Sequence, residues 1–221
     1  MLNRNTRYLQ IAFNYDARMV TNLLPKVPYS ERILIEAGTP YVKREGSDGI
    51  HLIRRIWPGK IVADIKIVDG AEDEVQMAAA AGANAVTILG NAPEETIRLA
   101  IQACKHLNII SMIDMLGVKD PLNVLRPQLI SPDVIVLHLG RDEENTRGKL
   151  IQYRHISRIR SKFPVLISAA GGVDVKQARS AIFNGADIVV ANIVRPEDNW
   201  RGIPSSEEIG SMARKFLETI E

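Results

Sequence analysis

Residues 60–70 read KIVADIKIVDG, a Val/Ile-rich run that gathers Asp64, Lys66 and Asp69 at its far end. In a β-strand, residues two apart share a face, so Asp64 and Lys66 project side by side. Asp69 falls beyond the strand, in the turn towards the next helix. Seven more short apolar runs flank this one: YLQIAFN, RILIEAG, NAVTILG, NIISMID, DVIVLHLG, FPVLISAAGG and ADIVVAN. Taken together the eight are centred near residues 11, 34, 63, 87, 111, 136, 166 and 189, a recurrence of about 25 residues per unit. Amphipathic stretches such as AEDEVQMAAAAGA, PEETIRLAIQACKHL and DVKQARSAIFNGA lie between them. Near-continuous hydrophobic runs alternating with helices predict parallel strands buried on both faces. Eight such units predict an α/β fold, a (β/α)8 TIM barrel spanning residues 1–221 as one domain. A doubly wound open sheet is the alternative, but it carries a Gly-rich first turn. AFNYDARM, the first turn here, has no glycine. The closing SSEEIGSMARKFLETIE predicts a final helix capped by Ser205 or Ser206.

Composition narrows the function. The chain has 221 residues, 46% hydrophobic and 24% charged, with 28 basic against 26 acidic side chains. A pI of 8.7 arises without a basic stripe or interleaved aromatics, which argues against a nucleic-acid partner. The single cysteine, Cys104, excludes an intramolecular disulfide framework and any multi-cysteine metal cluster. It sits in the helical pattern IRLAIQACKHL and reads as a buried structural thiol. MLNRNTRYLQIAF has no long apolar segment, and no run approaches the ~18 apolar residues of a membrane helix. The expectation is a cytoplasmic protein without a membrane partner.

Barrel enzymes place their chemistry at the C-terminal ends of the strands. Polar residues stand at those ends here: Asn14, Glu36, Asp64 with Lys66, Asp114, and His138 with Arg141 and Asp142. An isolated Asp64–Lys66 ion pair would need no further explanation, but solvated charges belong on the helices' outer faces. Convergence from several strands predicts a site. Gly171 and Gly172 follow the seventh strand, where barrels often hold phosphate and where glycine lets backbone N–H groups approach an anion. His51, His106 and His155 fall in helical patterns and read as surface or packing residues.

The ordered motifs resemble the orotidine-monophosphate-decarboxylase suprafamily, and specifically its 3-hexulose-6-phosphate synthase branch. Asp64, Lys66 and Asp69 match the suprafamily's Asp-x-Lys-x-x-Asp. Glu36, Gly38, Thr39 and Pro40, followed by Glu45 and Gly46, match its second-strand pattern. VTILGNAPEETI, MIDMLGVKDP, HLGRDEE and AAGGVD are similar to the synthase's later strands, in the right order. This resemblance implies an aldol reaction in which formaldehyde adds to an enediolate of ribulose 5-phosphate, giving a hexulose 6-phosphate. It implies Mg²⁺ on Glu36 and Asp64, with Lys66 stabilising the oxyanion. His138 is the expected general base, an imidazole suited to neutral pH, and Asp114 is expected to orient the sugar or the histidine. Asp69 is implied to reach the partner's site in a homodimer with shared active sites. The phosphorylated sugar is expected to meet Asn14, Asp114, Arg141, Gly171, Gly172, Ala191 and Asn192.

The sequence also departs from that pattern. The family's first strand ends in aspartate where this chain has Asn14. The family's glycine followed by arginine or glycine after the eighth strand is replaced here by Ala191 and Asn192, with Arg195 slightly later. A methyl group at Ala191 penalises positive φ. Arg141 resembles the arginine of the related 3-keto-L-gulonate-6-phosphate decarboxylases. Three readings therefore stand: a Mg²⁺-dependent synthase or its reverse lyase, a related sugar-phosphate decarboxylase, and a non-catalytic phosphosugar-binding paralogue.

Overall fold

The computed structural model describes residues 1–147, 151–206 and 208–221. Its elements run β1 (Tyr8–Phe13), α1 (Ala17–Leu23), β2 (Ile33–Ala37), α2 (Thr39–Ile56), β3 (Lys60–Ile67), α3 (Ala71–Ala80), β4 (Ala85–Leu89) and α4 (Glu94–His106). There follow β5 (Ile110–Asp114), α5 (Pro121–Leu125), β6 (Val134–His138), α6 (Arg141–Arg147), α7 (His155–Arg160), β7 (Leu166–Ala170), α8 (Val175–Phe183) and β8 (Ile188–Val194). A two-residue β9 (Ile203–Pro204) and α9 (Ile209–Thr219) complete the chain. Neighbouring strands from β1 to β8 pair in parallel, and β1 pairs with β8, from Tyr8 opposite Ile188 to Ala12 opposite Asn192. The sheet closes on itself as an eight-stranded (β/α)8 barrel.

Alternation along each strand builds two apolar layers. Leu9, Ile11 and Phe13 of β1 face outward into the layer shared with the helices, together with Ile33, Ile35, Ile61 and Ala63. Tyr8 and Ala12 face inward with Leu34, Val62, Met112, Val134, Leu166 and Ile188. Each fully buried aliphatic side chain contributes about 1.5–3 kcal/mol, which explains why most strand positions below the rim are apolar on both faces. Aspartates turn the chain from strand to helix: Asp16, Asp120 and Asp174 accept from the N–H groups of Met19 (2.8 Å), Leu122 (3.1 Å) and Gln177 (2.8 Å). Such caps satisfy N–H groups that have no partner within the helix.

All eight strands lie where the apolar runs place them. Two features differ. β9 pairs in parallel with β8, Ile203 opposite Ile193, and was not legible as a strand because it is only two residues long. The last helix begins at Ile209 after Glu208, later than Ser205 or Ser206 would have set it. Ser206 Oγ instead accepts from the Glu208 N–H at 3.3 Å, within the turn that precedes the helix.

Candidate active site

The inward parity that is apolar at the base of the barrel becomes polar at its C-terminal rim. Gln10, Glu36, Asp64, Lys66, Thr87, Asp114, His138 and Asn192 line one cavity of about 520 Å³. Lys66 is its hub. The ammonium donates to Asp64 Oδ1 (2.8 Å), Asp64 Oδ2 (3.0 Å) and Asp114 Oδ2 (2.7 Å). Asp114 in turn meets His138 Nδ1 at 2.8 Å and accepts from the Leu116 N–H at 3.0 Å. Thr87 Oγ1 and Thr39 Oγ1 donate to the two oxygens of Asp64 at 2.8 and 2.6 Å. Gln10 Nε2 donates to Glu36 Oε2 at 2.5 Å.

The backbone bends to make this possible. Lys66 has φ of +48°, the left-handed region that non-glycine residues avoid, and the β3–β4 register shifts between Ala63 and Ile67. The displaced Lys66 N–H is taken by Thr87 Oγ1 at 2.9 Å. A non-glycine residue held there costs about 1–3 kcal/mol, and such strain clusters at functional sites.

Electrostatics divides the carboxylates. Burial works against charge on Asp114, but His138 and Lys66 outweigh it and hold the carboxyl far below the usual carboxylate range. Burial likewise opposes a charged His138, yet Asp114 prevails and raises the imidazole above 6.5. Lys66 follows the same pattern: burial lowers it, Asp64 and Asp114 more than compensate, and the ammonium stays charged. Glu36 is pushed up to about 8, first by burial and then by the charge of Asp64. Beside it, Gln10 Oε1 is buried without a hydrogen-bond partner.

The two departures at the rim meet each other: Asn14 Nδ2 donates to Asn192 Oδ1 at 3.0 Å. Asn14 fits there because Gly38 has no Cβ to collide with its amide oxygen. Opposite, Gly171 and Gly172 adopt φ of +106° and +60°. A Cβ on Gly171 would strike the Leu139 carbonyl, and one on Gly172 would strike the Glu144 carboxylate.

Most of the anticipated residues share the cavity: Asn14, Glu36, Asp64, Lys66, Asp114, His138, Arg141, Gly171, Gly172 and Asn192 all line it. Two do not. Ala191 is fully buried in the layer against the helices, in ordinary strand conformation. Asp69 is exposed in the turn after β3, outside the cavity lining. Cys104 is buried in α4, its thiol pushed up to about 12 by burial, which suits a packing role. His155 is buried at the start of α7, while His51 and His106 are exposed on their helices. Sequence reasoning missed Gln10, Thr87, Glu144 and Trp200. The first two are polar residues at inward positions of apolar strands, a signal that alternation could have exposed. Among the described residues no three His, Cys, Asp or Glu side chains converge as a metal cage. No described helix is long and apolar enough to cross a membrane.

A closed parallel barrel whose charged cluster sits at the C-terminal ends of its strands defines a barrel of the enzyme type. Residues 7–195 match the model of the Orotidine 5'-phosphate decarboxylase / HUMPS family, and the chain belongs to that family. It is 39% identical over 216 residues to the "Bifunctional enzyme Fae/Hps" of Methanothrix thermoacetophila, covering 97% of this chain and 53% of that protein. The chain thus spans about half the length of such relatives. Among solved structures, 3-hexulose-6-phosphate synthase from Salmonella typhimurium superposes with a TM-score of 0.84 at 27% identity, covering 96% of this chain and 98% of that one. The 3-keto-L-gulonate-6-phosphate decarboxylase from Vibrio cholerae has a TM-score of 0.74 at 22% identity, with 97% of each chain covered, and shares the fold.

Proposed function

We propose that the chain is a cytoplasmic aldehyde-lyase of the 3-hexulose-6-phosphate synthase kind, joining formaldehyde to ribulose 5-phosphate through an enediolate or running the reverse cleavage. The observation that carries this reading is the unbroken chain Asp64–Lys66–Asp114–His138 facing one cavity with Glu36. Likeness to the Salmonella synthase over nearly the whole of both chains supports it.

Asp114 fixes His138 through Nδ1, which leaves Nε2 as the ring atom able to take a proton. In the forward direction Nε2 accepts the C1 proton of ribulose 5-phosphate, and Asp114 stabilises the resulting imidazolium. The enediolate's C1 electron pair forms the new bond to the formaldehyde carbon, whose oxygen takes up the proton held by the His138 imidazolium, which restores the neutral base. In reverse that bond breaks and formaldehyde leaves. Lys66 places a fixed positive charge where oxyanion charge develops.

Glu36 and Asp64 fit Mg²⁺, an ion that takes one or two carboxylates together with waters and substrate oxygens. The partnerless Gln10 Oε1 adds a hard oxygen beside Glu36. Bound there, the ion would supply Lewis-acid stabilisation of the substrate oxygens. Both Asp64 oxygens are already engaged by Lys66, Thr39 and Thr87, so a cation would replace one of those contacts. The same reading makes the protein a homodimer with shared sites, supported by the exposure of Val68 and Asp69 at the rim.

Formaldehyde consumption in the presence of ribulose 5-phosphate, measured with Mg²⁺ and again with EDTA, tests this function. Consumption that requires Mg²⁺ is expected; full activity under chelation would reject the metal assignment. Release of CO₂ from 3-keto-L-gulonate 6-phosphate, without formaldehyde chemistry, would make the protein a decarboxylase. Binding of either sugar phosphate without turnover would leave only a binding role.

A further inference from the structure

Among the described residues the cavity holds two side-chain cations besides His138, and they are differently committed. Lys66 is spent on Asp64 and Asp114. Arg141, the first residue of α6, has no carboxylate partner among the described residues, and its Cζ lies 3.7 Å from the centroid of the Trp200 ring. A guanidinium stacked on an indole keeps its in-plane N–H edge for a ligand while losing freedom to turn away.

Trp200 belongs to the segment that links β8 to β9, and that segment is tied down from several sides. Tyr15 donates its hydroxyl to Asp198, whose Oδ2 also accepts from the Arg195 N–H at 2.6 Å. The Arg195 guanidinium lies 4.2 Å from the Tyr15 ring centroid and 3.7 Å from Asp16 Oδ2. Past Trp200, Gly202 passes so close to the Asn192 carbonyl that a Cβ there would collide, and the Ser205 N–H donates to the Val194 carbonyl at 2.7 Å. The indole is therefore presented from a fixed strap.

We propose that Trp200 is a positioning residue: its ring holds the Arg141 guanidinium at the cavity mouth, where it grips the phosphate of a phosphorylated ligand. The proposal rests on the reading of the cavity as a sugar-phosphate site. On the β8 side, the Asn192 amide oxygen is occupied by Asn14, and no cation among the described residues lines the wall. On the β7 side, the Gly171–Gly172 turn offers open backbone, but Glu144 stands against Gly172 and repels an anion. Among the described residues Arg141 then supplies an uncommitted positive charge, and without the indole it can swing towards Glu144 or bulk water.

Trp200→Ala, Trp200→Phe, Arg141→Ala and the Trp200→Ala/Arg141→Ala double variant test this, with inorganic phosphate as the binding probe in calorimetry and ribulose 5-phosphate as substrate. Trp200→Ala is expected to weaken phosphate binding and raise KM about tenfold, with kcat within about twofold because uniform binding alone is lost. Trp200→Phe should restore most of the affinity. Trp200→Ala should add nothing once Arg141 is gone, which a merely structural residue would not do. Unchanged phosphate affinity in Trp200→Ala, or an equal further loss in the Arg141→Ala background, would overturn the proposal. Coupled phosphate binding in a protein that never consumes formaldehyde would defeat the aldol reading alone. Formaldehyde turnover without that coupling would defeat the positioning role alone.

Discussion

His138 receives opposing influences. Burial penalises its charge, and the Asp114 carboxylate 2.8 Å from Nδ1 more than reverses that penalty. The sign of the pH dependence follows. A general base works as the neutral ring, so activity falls as pH drops through the histidine's pKa, and that pKa lies above 6.5. The acid limb of kcat/KM is thus expected above pH 6.5. Asp114→Asn keeps the shape but removes the anion, leaving burial and the Lys66 charge, which lower the histidine, opposed by the smaller raising influence of Asp64. Its acid limb should move to lower pH while the plateau falls about 10²-fold as the base loses its orienting partner. A pH–rate profile of both forms decides it: an acid limb that stays in place in Asp114→Asn would remove His138 from the role of base.

Between β3 and β4 the unit of function is the irregular ladder rather than any one side chain. Thr87 Oγ1 accepts the Lys66 N–H that the bulge has released and donates its own proton to Asp64. Thr87→Val is nearly isosteric but leaves a buried N–H and a carboxylate lone pair unsatisfied. The expected cost is about 1–3 kcal/mol for each group so stranded, read as a lower urea midpoint at unchanged slope, with slower turnover as Asp64 and Lys66 lose register. Stability equal to wild type would show that the bulge is held by the strands alone. The same ladder shows what the sequence could reveal. Strands buried on both faces write themselves as Val/Ile runs, so all eight were legible, as were the charged tips at their ends. Burial on both faces also hides which side chains point inward, so Gln10 and Thr87 passed unnoticed inside YLQIAF and AVTIL. Trp200 lies in VRPEDNWRGIP, which has no periodicity; its place depends on Tyr15 and Asp198, 183 residues apart in the chain. For a related reason, spacing locates the end of β8 but not the parity that turns Asn192 to the cavity and Ala191 to the helices.

At the scale of the whole molecule, one barrel presents every proposed catalytic group except Asp69. That carboxylate stands exposed beyond β3, beside Val68, which is 50% exposed, and outside the cavity of its own chain. An acidic side chain and an apolar one together on a rim are suited to a second copy of the chain, and a two-fold axis would carry each Asp69 to the opposite mouth. The arrangement makes a test that does not depend on seeing the interface. In a homodimer with shared sites, Asp69→Ala would disable the partner's site and His138→Ala its own, so each homodimer is expected to be inactive. In the mixed dimer one mouth combines both lesions, while the other combines an intact His138 with an intact Asp69. Co-refolding the two variants at equal concentration should therefore restore about a quarter of wild-type formaldehyde turnover, since half the dimers are mixed and each has one working site. The measurement is turnover against mixing ratio, with light scattering to follow assembly. A bell-shaped curve peaking at equal amounts is expected; no recovery among dimers, or a monomer throughout, would confine Asp69 to its own turn and make each barrel a complete site.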